Sequence, residues 1–68
     1  MDTNQLKEYW TIFTEAWQFF RKFSDPKEES WPQIVDEAKA FEGRYSNELA
    51  HDLMKVCLNE LERVYKAK

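Results

Sequence analysis

The side chains best able to do chemistry in this 68-residue chain are one cysteine and one histidine. Cys57 could act as a nucleophile if an imidazole drew off its proton, and His51 is the only imidazole present. Six positions at ~100° each set the two about 120° apart around one helix, so they cannot form a dyad within a chain. The expected role of Cys57 is that of a small buried hydrophobe. Glu48-Leu49-Ala50-His51 has the E-x-x-H spacing of helical di-iron sites, but those need two such motifs and two further inward carboxylates. With one copy, and with Glu48 and His51 on the polar face, a solvated helix surface is expected. There is no Gly-rich phosphate loop, nucleophile elbow or pair of inward carboxylates. A chain this short also leaves little room for a substrate pocket of ~300 Å³. No catalytic residue, cofactor or metal is assigned, and the chain is expected not to be an enzyme.

Recognition of another protein is the chemistry that remains. The chain carries three Trp, three Tyr and five Phe, and each ring can bury ~150–250 Å². Trp10 and Trp17 lie on one flank of the first helical segment, and Ile12, Phe19 and Phe23 on the other. A helix held between two neighbours would bury both flanks; if only one is covered, the other is an interface, where Trp, Tyr and Phe are enriched. Trp31, next to Pro32 at a helix entrance, is a candidate staple or anchor. Glu60 falls in an otherwise apolar sector with Leu49, Leu53, Val56 and Val64. There its carboxylate must reach water or a cation, with Arg21 or Arg44 of another helix or subunit as candidates. Trp10, Trp17, Ile12, Phe19, Phe23, Trp31 and Glu60 are therefore the candidate interface residues.

Three helices must position these groups. Helix 1 is predicted from Asp2 or Thr3 to about Phe23, with Asp2 and Gln5 resembling a capping box. At ~100° per residue, Leu6, Tyr9, Trp10, Ile12, Phe13, Ala16, Trp17, Phe19, Phe20 and Phe23 share an arc of roughly 180°, wider than the ~100° that one neighbour requires. After it, Asp25-Pro26-Lys27-Glu28 and Ser30-Trp31-Pro32-Gln33 both read as helix starts. A single helix from Pro26, and a short turn followed by a helix from Trp31, both remain open, because Pro32 disfavours helical geometry at Trp31. Helix 2 then runs to about Glu42 on a stripe of Trp31, Ile34, Val35, Ala38, Phe41 and Tyr45. Gly43 stands where a left-handed C′ residue is expected. Helix 3, capped by Ser46 or Asn47, extends to about Lys66, with Lys66 and Lys68 suited to its C-terminal dipole.

Composition agrees with this plan. The chain is 43% apolar, above the disordered class, and one Gly with two Pro supplies too few turns for an all-β fold. The expected architecture is one all-α domain over residues 1–68, a small three-helix bundle with room for an extra helical turn between helices 1 and 2. A lone Cys excludes a disulfide framework within the chain. No apolar run approaches the ~18 residues of a membrane span, and the start shows no basic n-region or apolar h-region. The expected setting is cytoplasmic, with no membrane contact. Residues 25–42 hold six acids and only Lys27 and Lys39, net −4 within a chain of net −3. Nucleic-acid binding is not expected, since the basic residues are dispersed and the first turns of helix 3 carry Glu48 and Asp52, which repel phosphate.

Tyr9-Trp10, Ile34-Val35-Asp36-Glu37-Ala38, Leu49-Ala50-His51-Asp52-Leu53 and Val56-Cys57-Leu58-Asn59-Glu60-Leu61-Glu62-Arg63 together resemble a group of small all-helical bacterial proteins met near prophage and conjugative elements of Gram-positive bacteria. No activity is known for that group. The resemblance implies a compact cytoplasmic helical protein with a role in mobile-element biology, and it supplies no site. Two functions are expected to compete. One is a non-enzymatic interaction module whose protein partner is a second copy of the chain, forming a homodimer through surplus apolar helix surface. The other is an acidic inhibitor docking on a basic protein surface through the −4 segment.

Overall fold

The computed structural model describes residues 1–67. Three helices follow in order: α1 over Thr3–Lys22, α2 over Trp31–Arg44 and α3 over Glu48–Lys66, with a 3-10 turn at Glu28–Ser30 leading into α2. The fold is a small all-α three-helix bundle. Lys68, assigned to the helix 3 dipole from sequence, lies outside the described residues.

Local chemistry sets the starts. Asp2 is extended, and its carboxylate accepts the Gln5 N–H at 2.8 Å. Asn47 does the same for the Ala50 N–H at 2.8 Å, so Asn47 rather than Ser46 caps α3. Between α1 and α2 the structure adopts the turn-then-helix alternative. Pro26 begins no helix and is fully buried, and the 3-10 turn is closed by the Lys27 N–H donating to the Ser30 hydroxyl at 3.3 Å. Trp31 is helical at φ −62°, ψ −40° in spite of Pro32. Its ring meets Tyr65 edge to face with centroids 5.6 Å apart, and Pro32 in the first turn lacks only an N–H that would have no helical partner.

Gly43 departs from expectation. No glycine among the described residues has positive φ, and α2 runs through Gly43 to Arg44. Tyr45 ends the helix instead, extended at φ −126°, ψ 94°, with its N–H on the Phe41 carbonyl and its ring 5.2 Å from that of Phe41. The two added residues bring Arg44 to Glu15 of α1 at 3.4 Å.

Side-chain ties fix the order of the bundle. Lys22 meets Glu37 at 2.8 Å and Arg44 meets Glu15, so α2 runs antiparallel to α1. His51 meets Glu42 at 2.9 Å and Tyr65 meets Trp31, so α3 runs antiparallel to α2 and parallel to α1. At the foot, the Asn47 amide reaches Glu8 at 3.5 Å. The core is Ile12, Ala16, Phe19 and Phe23 from α1 and its C-cap, Ile34, Ala38 and Phe41 from α2, and Ala50, Met54 and Leu61 from α3. None of the described helices is long and apolar enough to cross a membrane.

A candidate interaction surface on α1 and α3

The bundle is a rod of 43 × 19 × 17 Å, with a radius of gyration of 12.8 Å. A compact domain of this length has about 11 Å. Its surface of 5050 Å² likewise exceeds the ~4,600 Å² usual for a monomer of this mass. Leu6, Trp10, Phe13 and Trp17 are 56, 70, 52 and 58% exposed, and all four stand on α1. Their 4-3-4 spacing makes one line along the helix, the spacing that a helical partner reads. Half-buried Phe20 extends it, its ring stacked on Trp17 with centroids 6.5 Å apart. At ~150–250 Å² per ring, the three exposed aromatics leave about 400 Å² uncovered. That already reaches the size at which a patch on a soluble monomer tends to be functional.

The two flanks of α1 therefore differ. Ile12, Phe19 and Phe23 are buried in the chain's own core and offer no surface to a partner, because α2 and α3 both dock on that side. Trp10 and Trp17 stand clear. Trp31 is half-buried, its ring committed to Tyr65. Glu60 finds its cation on its own helix, one turn on at Arg63, and not at Arg21 or Arg44 within the chain; Arg44 is occupied by Glu15. Leu6, Phe13 and Val56, which is 64% exposed, were absent from the sequence-based candidate set. The 4-3-4 spacing from Leu6 to Trp17 was the available signal, hidden inside the wide apolar arc.

The reactive side chains stay apart. Cys57 is half-buried, and burial pushes its thiol above the usual 9.0. His51 is exposed on the α2 side of α3, engaged with Glu42. Among the described residues no three of His, Cys, Asp and Glu gather where a metal ion could be held. Glu62 is drawn below the usual carboxylate value by its hydrogen bond to Lys66. This is a surface pair that steadies the last turn of α3.

The chain matches no protein-family model, no curated protein and no solved structure.

Proposed function

We propose that this chain is a non-enzymatic protein-interaction module that self-associates through the apolar surface of α1. One observation carries the reading: Leu6, Trp10, Phe13 and Trp17 form an uninterrupted exposed line on the helix that also supplies three core residues. A chain that buries Ile12 and Ala16 completely, or nearly so, yet leaves two indoles in water gains by covering them. The resemblance to small helical proteins of prophage and conjugative elements extends the proposal to mobile-element biology in the cytoplasm.

The acidic-inhibitor reading has less support. Of the acids in the −4 segment, Glu37 is bound by Lys22, so the field offered to a basic partner is reduced.

Tryptophan emission tests the proposal. As concentration rises from low micromolar to millimolar, emission should shift to the blue as Trp10 and Trp17 leave water, with Trp31 a constant background. Emission that stays red over the whole range contradicts it.

A further inference from the structure

We infer that two copies pair in parallel, face to face, with α1 of each lying on α3 of the other and Arg21 of each facing the partner's Glu60. This rests on the self-association proposed above and adds the counter-surface and its orientation.

The counter-surface follows from the ties between helices. On α1, Glu15 and Lys22 point to α2, so the exposed line from Leu6 to Trp17 runs along the opposite flank, beside α3. On α3, His51 and Tyr65 point to α2. At ~100° per residue, Leu49, Leu53, Val56 and Glu60 lie on the other flank, beside α1, again with 4-3-4 spacing. The two lines adjoin and make one apolar face across two parallel helices.

Height along the rod sets what meets what. Glu8 and Asn47 touch at the foot, and both helices rise at the same rate per residue. Trp10 and Leu49 then stand at one level, Trp17 and Val56 at a second, and Arg21 and Glu60 at a third, while the ties through α2 agree to within about one turn. At the two apolar levels α1 is bulky and α3 is slight. A twofold axis along the rod sets Trp10 against the partner's Leu49 and Trp17 against the partner's Val56, large on small, and fills the space evenly. An axis across the rod stacks indole on indole and leaves α3 short of its counterpart.

Charge agrees. Neither Lys7 nor Arg21, both on the outer edge of the α1 line, has a salt bridge among the described residues. In the parallel arrangement Arg21 faces the partner's Glu60, whose Oε1 already holds Arg63 of its own helix and whose Oε2 takes the second cation, and Lys7 comes to the end of the partner's α3 that carries Glu48. In the antiparallel one, Lys7 approaches the partner's Arg21 and like charges meet. Area also agrees. A stable interface takes about 800 Å² per partner, and about 400 Å² from three rings, with Leu6, Val56 and the half-buried Phe20, Leu49 and Leu53, approaches that figure.

Charge reversal tests the pairing. Arg21→Glu and Glu60→Arg chains each set like charges against each other at both symmetric contacts, and each should dimerise at least about tenfold more weakly than wild type. Mixed, with one chain isotopically labelled, they restore opposite charges at both contacts. Native mass spectrometry should then show heterodimers well above the statistical half, and a chain carrying both substitutions should regain dimerisation. Circular dichroism of each variant confirms that helicity is intact. A dimeric wild type whose variants mix statistically, with no recovery in the doubly substituted chain, overturns the parallel arrangement and leaves self-association standing. A wild type that stays monomeric overturns both.

Discussion

Replacing Trp10 by Ala separates association from folding. The Trp10 ring makes none of the aromatic contacts of the bundle and is 70% exposed, so it contributes little to the folded monomer. Roughly 150 Å² of it is open to water, and full coverage at ~25 cal/mol per Å² is worth about 3–4 kcal/mol. If half of that is realised, each protomer loses about 2 kcal/mol and the symmetric dimer about 4, close to a thousandfold in Kd. The fold should hardly notice: a surface change of this kind stays within about 0.5 kcal/mol, and Ala is the better helix former. Sedimentation equilibrium reads the first quantity. Thermal melts by circular dichroism, at concentrations below the wild-type Kd so that association does not raise the apparent Tm, read the second. An unchanged Kd would refute the assignment of Trp10 to the interface. A large fall in Tm in the dilute monomer would refute the claim that the indole is unused by the fold.

Other substitutions probe the bundle itself. Gly43→Ala should stabilise by about 0.5–1 kcal/mol, because Gly43 is helical and a Cβ there meets nothing within 4 Å. Thermal melts should show a rise of several degrees, and a fall would mean that the residue is left-handed after all. Leu61→Ala should cost about 2–5 kcal/mol, since Leu61 is fully buried in the core from α3. Against the roughly 3–10 kcal/mol available to a domain of this size, urea titration should find it largely unfolded or close to it. The Cys57 thiol, raised above 9.0 by burial, should alkylate more slowly in the folded chain than in urea at neutral pH. Because the folded form holds that proton more tightly, its contribution to stability is complete below the ordinary thiol value and is lost as pH rises through the raised one. Equal alkylation rates in the folded and unfolded chain would contradict the burial.

Much of the bundle was legible because its determinants are local. Asp2 and Asn47 cap the helices they precede, and the polar arc of α1, from Asn4 to Lys22, is clean enough to define that helix alone. Gly43 misled for a physical reason. A glycine just past an apolar stripe fits both a left-handed cap and a last helical turn, and the choice here fell to Tyr45 packing on Phe41 and Arg44 reaching Glu15. The site was half legible. A wheel shows that both flanks of α1 are apolar, but which one is covered depends on where α2 and α3 dock, and that is a property of the whole chain. Hence Ile12, Phe19 and Phe23 were grouped with Trp10 and Trp17 as candidates, although they lie on opposite sides of the division between core and surface. The wheel sets Glu60 in apolar company, but it gave no sign that its partner would be Arg63, one turn away on the same helix.

The mass of the wild-type chain in solution tests the central claim most directly. Light scattering behind size exclusion, over a rising concentration series, should pass from 8.3 kDa to twice that value and stop there, since a twofold face closes on itself. A mass held at 8.3 kDa up to the highest concentration reached would contradict the account.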